Sequence, residues 1–199
     1  MTEERKGYRL TKIYTRTGDK GTTRIGSGDV LSKADDRIEA IGSVDETNSW
    51  MGMLLNELRH SDNLTEAQLS QVSDIQHRLF DVGGELAMPG YQLIQEEHTT
   101  AMEVLIDELN EHLPPLKNFT LPGGGTAACH CHMVRTVSRR AERAVIRLRE
   151  SGVEINAPLI TFLNRLSDVM YVLSRHCARK NEGEVLWQAS PKTKISGSQ

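Results

Sequence analysis

The sequence predicts an all-α protein, a five-helix bundle, from three observations. Apolar residues recur at helical spacing in five long segments, and each segment is bounded by capping or helix-breaking residues. Only 5% of the residues are aromatic, which favours a helical core of aliphatic side chains over a β-sandwich. The connections between the five segments are short, as they are in helical bundles.

The boundaries of these elements follow from the helix start and stop signals. Residues 1–35 are dense in Gly, Thr, Ser and Asp and predict an N-terminal loop. The helices are expected at 36–59, 65–87, 96–113 and 126–150, with the fifth running from just after Pro158 to about 179. They form one bundle domain over residues 36–188, and the polar residues 189–199 predict a flexible C-terminal tail.

Composition bounds the class of function. With a formal net charge of −3 over 199 residues, the chain as a whole is not attracted electrostatically to nucleic acid or to an anionic membrane surface. Residues 1–10 lack the apolar core of a secretory signal, and no apolar run approaches the roughly 18 residues that span a bilayer. The three cysteines lack the spacing of a disulfide framework. We therefore expect a cytoplasmic protein with reduced thiols.

The first segment that suggests a binding site is a basic, threonine-rich stretch in the N-terminal loop. Gly18 and Gly21 allow close backbone approach on either side of Lys20. Arginines and threonine hydroxyls surround them, which is the donor set that a polyphosphate requires. The spacing is not that of a Walker A loop. A solvated basic arm is the alternative interpretation.

The second segment is a row of arginines on the fourth helix. Arg135, Arg139 and Arg143 are each four residues apart, so they lie along one face and repel one another unless something anionic compensates them. Glu142 or a ligand phosphate could do so. Arg140 and Arg147 lie in a different row, which favours surface or interface positions. A charged face with salt bridges to neighbouring helices is the alternative.

Polar residues also interrupt apolar helices. Asn164 and Asp168 share a face of the fifth helix, and Asp45 and Asn48 interrupt the apolar stripe of the first. A carboxylate among core-facing residues is costly unless it is paired. We therefore expect Asp45 and Asp168 to orient arginines rather than to carry out chemistry, with the arginine row as the source of partners.

A metal site is suggested by the run Cys-His-Cys-His at residues 129–132. On a helix, residues two apart point roughly 200° away from each other, so like residues of this run cannot converge on one ion. We therefore predict no metal ligands from side chains, and the role of the run stays open.

Together these segments resemble the PduO-type ATP:cob(I)alamin adenosyltransferases. The resemblance runs in order from about residue 12 to 188 and rests on YTRTGDKG at 14–21, VDETN at 44–48, LPGG at 121–124, RRAER at 139–143 and NRLSD at 164–168. It implies a ferritin-like, up-down bundle that assembles as a homotrimer. It also implies transfer of the 5′-deoxyadenosyl group of ATP to the Co(I) of cob(I)alamin, with Mg²⁺ on the ATP phosphates. The sequence departs from the family at residues 125–131.

The resemblance also assigns roles to residues. Arg139, Lys20, Arg143 and Phe119 are the expected catalytic residues, with Phe119 crowding the lower face of the corrin. Asp45 and Arg135 match a pair that bridges subunits. The expected ATP-binding residues are Tyr14, Thr15, Arg16, Thr17, Gly18, Asp19, Lys20, Gly21, Thr22, Thr23, Arg24, Lys33, Arg139, Arg140, Glu142, Arg143 and Asn164.

Two other functions remain open at the level of sequence. One is a non-catalytic carrier that hands nucleotide or corrinoid to another enzyme, and the other is a triphosphate-binding regulatory protein. An adenosyltransferase could itself hand its product to an adenosylcobalamin-dependent enzyme and receive electrons from a reductase. The sequence names neither partner, nor whether cobinamide also serves as substrate.

Overall fold

A computed structural model describes residues 14–116 and 118–189 of the chain. Within them the chain forms five helices and one two-stranded sheet: α1 Asp36–Arg59, α2 Glu66–Ala87, α3 Glu96–Asn110, α4 Thr126–Glu150 and α5 Ala157–Lys180, preceded by β1 Thr22–Arg24 and β2 Val30–Ser32. The predicted all-α, five-helix bundle is confirmed. The expectations for residues 1–13 and for the tail from 190 onward lie outside the described residues.

Side-chain caps explain where the first two helices begin. Asp35 accepts a hydrogen bond from the Arg37 amide at 2.8 Å and so caps α1. Thr65 and Gln68 form a reciprocal capping box at the start of α2. Each cap satisfies amides that the helix itself leaves without a partner. Pro158 lies in the first turn of α5, where its missing N–H costs nothing.

The third helix is shorter than predicted. It ends at Asn110 rather than at Leu113, because the last residues tighten into a turn in which the Leu113 amide donates to the Asn110 carbonyl at 3.0 Å. Pro114 and Pro115 follow and cannot supply the donors that would continue the helix. Leu113 thus keeps the helical spacing of the apolar residues although the α-helical hydrogen bonds end before it.

The N-terminal loop contains a hairpin that the sequence did not predict. Thr22 pairs with Ser32 and Arg24 with Val30, in antiparallel register. Strands of three residues are too short to show a period of two, which is why the pattern was missed. The hairpin packs on the C-terminal end of α2, where the Ser27 amide donates to the Ala87 carbonyl at 3.2 Å.

Aliphatic side chains from all five helices form one core, and Phe162 is fully buried within it. The fourth helix packs against both α1 and α5, α2 packs on α1, and α3 packs on α5. The fourth helix therefore has a packed neighbour on either side. None of the described helices is both long and apolar enough to cross a bilayer.

A buried carboxylate ties the ends of three segments together. Glu85 of α2 accepts hydrogen bonds from the amides of Leu93 and Ile94 and from the Asn156 side chain at 3.2 Å. Asn156 in turn donates to the Ile94 carbonyl at 2.8 Å. The link from α2 to α3 is thereby fixed to the start of α5.

Candidate active site

Two of the predicted nucleotide-binding segments meet in the N-terminal loop. The Gly21 amide closes a turn on the Gly18 carbonyl at 3.2 Å, and the Lys33 amide donates to the Gly21 carbonyl at 2.8 Å. A Cβ on Gly18 would lie 3.2 Å from the Lys33 ammonium and 3.1 Å from the Thr22 carbonyl oxygen. The missing side chain of Gly18 therefore leaves room for a cation against the turn.

The remaining loop residues divide between internal contacts and free donors. The hydroxyls of Thr15 and Thr17 lie 2.8 Å apart, and the Arg16 guanidinium lies 5.6 Å from the centre of the Tyr14 ring. The Arg24 guanidinium donates to the Gly28 carbonyl and so closes its own hairpin. Asp19 and Lys20 are exposed, and Lys20 forms no ion pair within the described residues. Lys20 thus stays available to an anion.

The arginine row lies on the surface of α4. Arg139 and Arg143 are exposed, and the Arg143 guanidinium donates to the Arg139 carbonyl at 2.9 Å. Next to them, the Asn164 amide of α5 donates to the Glu142 carboxylate at 3.0 Å. Four residues that sequence analysis assigned to ATP therefore form one patch across α4 and α5.

Arg140 has a partner within the chain. It lies in a different row of α4 and forms an ion pair with Glu46 of α1. Its charge is already compensated, which makes it the least supported of the predicted ATP-binding residues.

The carboxylates expected in apolar faces lie elsewhere. Asp45 and Asp168 are both exposed, so the expectation that they face the core is wrong. Val44 and Thr47 of α1 are buried in the bundle, and Asp45 follows Val44 by 100° of rotation around the helix. Asp168 pairs with Arg165 at 2.8 Å, not with the arginine row as expected.

Arg135 and Asp45 do not meet within one chain. Arg135 is half-buried, and its Nε donates to Nδ1 of His132 at 3.4 Å. The pKa of His132 is lowered to about 4 by burial and by the positive charge of Arg135. The imidazole is therefore neutral near pH 7, with Nδ1 as acceptor and the proton on Nε2. Burial and the charge of Arg139 also lower the pKa of Arg135.

A cavity of about 650 Å³ opens beside these residues. It is lined by Leu116, Asn118, Phe119, Thr120, His132, Arg135 and Tyr171. Phe119 is 76% exposed, so its ring does not fill the end of the bundle. The Thr120 hydroxyl and the Tyr171 hydroxyl lie 3.2 Å apart on the wall. The cavity combines an exposed aromatic ring with polar groups and a cation.

The Cys-His-Cys-His run spreads around the helix as its spacing requires. Cys129 is exposed, Cys131 is buried, His130 lies 6.2 Å from the Trp50 ring and His132 lines the cavity. Burial and a contact with Cys177 raise the pKa of the Cys131 thiol. Among the residues that the structure describes, no group of three His, Cys, Asp or Glu side chains could hold a metal ion.

Of the residues that line the cavity, sequence analysis had assigned roles only to Phe119 and Arg135. Tyr171 lies seven residues beyond Asn164, two helical turns along nearly the same face, so spacing could have found it. His132 was considered only as a metal ligand. Trp187 contacts Phe119 only because the chain reverses its direction after α5, and no local sequence pattern predicts that contact.

The chain matches the family model for cobalamin adenosyltransferases over residues 13–177. It is 46% identical to a cobalamin adenosyltransferase of Cupriavidus metallidurans over 183 residues, which cover 92% of this chain and 97% of the relative. The chain belongs to the cobalamin adenosyltransferase family.

Other comparisons agree with this membership. A corrinoid adenosyltransferase of Bacillus subtilis is 40% identical over 184 residues, which cover 90% of this chain and 93% of the relative. Among solved structures, a variant PduO-type ATP:corrinoid adenosyltransferase from Lactobacillus reuteri, complexed with cobalamin and ATP, superposes with a TM-score of 0.82 at 35% identity. That match covers 89% of this chain and 100% of the other. The resemblance stated from the sequence is confirmed.

Proposed function

We propose that the chain transfers the 5′-deoxyadenosyl group of ATP to the Co(I) of cob(I)alamin, which gives adenosylcobalamin and triphosphate. The family, the adenosyltransferase relatives and the neighbour that binds cobalamin and ATP support this activity. The observation that carries it is the position of the cavity. The side chain of Arg135 lines the cavity and begins the row that continues with Arg139 and Arg143. A corrin site would thus adjoin a phosphate site.

The proposed reaction requires no covalent bond between the protein and its substrates. The electron pair of Co(I) attacks C5′ and forms the Co–C bond. The C5′–O bond breaks at the same time, and triphosphate leaves with the electron pair of that broken bond. No side chain must act as nucleophile or general base. The protein must instead align the attack and stabilise the charge that develops on the leaving group.

Cations of the loop and of α4 perform that second task. In our proposal Lys20 and Lys33 hold the triphosphate from the loop, and Arg139 and Arg143 hold it from the helix. Charges fixed before the reaction stabilise the transition state without reorganisation during the step. Glu142 and Asn164, already bonded to each other, face the nucleoside.

Magnesium fits this site as a partner of ATP. The described residues offer no carboxylate or imidazole cluster for it, whereas the loop offers threonine hydroxyls beside the cations. Mg²⁺ would therefore bind the phosphate oxygens, where it adds positive charge to the leaving group.

The site is proposed to form between subunits of a homotrimer whose protomers have the ferritin-like, up-down order. No hydrogen bond or ion pair between the described residues joins the loop 14–34 to the arginine row. Arg135 is charged and half-buried, it has no carboxylate partner among the residues 14–116 and 118–189 of its own chain, and Asp45 is exposed on α1. Pairing of these two across an interface would bring the loop of one subunit to the helix of another.

Phe119 is proposed to act on the corrin. An exposed phenyl ring at the cavity mouth can occupy the space that the lower axial ligand must leave. Co(II) then becomes four-coordinate, and the empty axial position makes it easier to reduce to Co(I).

One anaerobic assay tests the function. The purified protein is mixed with ATP and chemically reduced cobalamin, and the light-sensitive Co–C bond is followed by absorbance. An enzyme forms it over many turnovers. A carrier or a triphosphate-binding regulator would bind its ligand and form none, which would overturn the proposal. The cytoplasmic location, the reductase and the enzyme that receives the product remain predictions.

A further inference from the structure

The loop that carries Phe119 is held by a second strand of chain. The Trp187 amide donates to the Phe119 carbonyl at 2.8 Å, and the Leu121 amide donates to the Val185 carbonyl at 2.8 Å. Thr120 and Leu186 form the antiparallel bridge between these two bonds. The segment 184–187, which follows α5, thus pairs with residues 119–121.

Side chains strengthen this pairing on the cavity side. The Asn118 amide donates to the Trp187 carbonyl at 2.6 Å. The rings of Phe119 and Trp187 meet edge to face, with centres 6.3 Å apart and planes at 74°. Since Phe119 is otherwise exposed, this contact restricts the rotamers that its ring can adopt.

A buried ion pair anchors the segment to the bundle. Arg175 of α5 donates to Glu184 at 2.6 Å and to the Pro114 carbonyl at 2.8 Å. The two charged side chains are only 6% and 11% exposed, so solvent screens the pair little. The Arg175 guanidinium therefore binds both Pro114, which precedes Phe119 in the chain, and the segment 184–187, which pairs with residues 119–121.

We infer that Trp187 is a positioning residue, which holds the Phe119 ring at the orientation needed to exclude the lower axial ligand of the corrin. The inference rests on the proposed role of Phe119 and extends it to a residue outside the motifs of the family resemblance. Trp187 need not touch the reacting atoms. It acts by limiting the orientations of a ring that solvent would otherwise leave free.

The test is a double-mutant cycle on the full chain with ATP and cob(II)alamin. Phe119→Ala, Trp187→Ala and the double variant are compared, with Leu186→Ala as the matched control. Leu186 is the neighbouring exposed residue of the same segment, and it pairs with Thr120 rather than with Phe119. The readouts are the four-coordinate Co(II) signal in magnetic circular dichroism, turnover from Co(II) with reductant and turnover from pre-formed Co(I).

We expect Trp187→Ala to lower the four-coordinate signal and the Co(II) turnover by about two- to ten-fold, the factor that an edge-to-face contact corresponds to. Turnover from Co(I) should change much less, a split that simple loss of stability would not produce. Trp187→Phe should restore most of the signal. In the Phe119→Ala background the second substitution should have no further effect, because there is no ring left to position.

The outcomes separate the two proposals. If Phe119→Ala leaves the four-coordinate signal intact in a folded protein, the role of Phe119 is withdrawn and the positioning role with it. If Phe119→Ala removes the signal while Trp187→Ala matches Leu186→Ala, only the role of Trp187 is overturned. The role is also overturned if Trp187→Ala lowers the four-coordinate signal by the same factor in the wild-type protein and in Phe119→Ala. Trp187 would then act independently of the Phe119 ring.

Discussion

At the scale of single residues, the arginines proposed for the site differ in whether a carboxylate of the same chain neutralises their charge. Arg140 is paired within the chain, whereas Arg139 is exposed and lies beside the Glu142–Asn164 pair. Such a difference separates a structural arginine from one that is available to a ligand. It also predicts which substitution affects catalysis.

We expect Arg139→Lys to lower kcat by about ten-fold or more, because lysine keeps the charge but loses the bidentate geometry that fits a phosphate. Steady-state kinetics with ATP and reduced cobalamin measures it. Arg149→Lys, at an exposed position on the last turn of the same helix, is the control and should leave kcat unchanged. A raised KM for ATP at unchanged kcat would mean that Arg139 binds ground and transition states equally.

A second residue-scale prediction concerns His132 and acid. Its pKa is about 4 in the folded protein and near 6.5 when exposed, so the unfolded chain takes up its proton first as the pH falls. The free energy of unfolding should therefore decrease from about pH 6.5 down to about pH 4 through this group. Below pH 4 the loss from His132 is complete.

In His132→Gln this part of the pH dependence should disappear. Urea denaturation of both proteins at several pH values measures the difference. His176, whose pKa is also lowered by burial, contributes equally to both proteins. Exposed His77→Gln is the control and should follow the wild-type profile. Parallel profiles for wild type and His132→Gln would contradict the prediction.

At the scale of elements, local signals predicted what local chemistry determines. The first, second and fourth helices begin at caps or turns readable from the sequence, and the arginine row follows from helical spacing alone. The hairpin, the early end of α3 and the segment that holds Phe119 were missed. The hairpin and that segment depend on contacts between distant parts of the chain, such as Ser27 with Ala87 and Trp187 with Phe119. The third helix instead ends early in a local turn, which its apolar spacing did not reveal.

The element-scale prediction concerns the turn before α4. A Cβ on Gly124 would lie 2.4 Å from the Ala178 Cβ, and its φ is +90°. Gly90 has a similar φ of +93° but open space around it. Gly90→Ala should therefore cost about 1–2 kcal/mol of unfolding free energy for backbone strain alone, and Gly124→Ala about 2–5 kcal/mol because overpacking adds to it.

Urea denaturation of the two glycine variants measures these costs. Gly90 serves as the matched control, since only the packing differs between the two positions. If both variants lost the same stability, the close approach of Gly124 to α5 would not be energetically important.

At the scale of the whole molecule, the two halves of the proposed phosphate site are not joined within the described chain, which supports the proposed assembly. We expect a homotrimer by light scattering. The single reversal Arg135→Asp should weaken it, because in the proposed interface it would place a like charge against the Asp45 carboxylate of the next subunit. The double variant Asp45→Arg with Arg135→Asp should restore the assembly. Arg140→Ala, which removes a cation already paired within its own chain, should leave the trimer intact.

A wild-type monomer that turns over at full rate would remove the basis for a shared site. A trimer that Arg135→Asp leaves unaffected would instead place the interface elsewhere.

The carboxylate of Glu85 has a consequence for local opening. The link between α2 and α3 has no regular structure, yet two of its amides, those of Leu93 and Ile94, are bonded to this buried group. The exchange of these amide hydrogens with deuterated solvent should therefore be slow, because it requires the bundle itself to open. The Gly28 amide of the exposed hairpin should exchange faster, because a local opening of the hairpin is sufficient. A stretch without secondary structure would then belong to the same cooperative unit as the helices it connects.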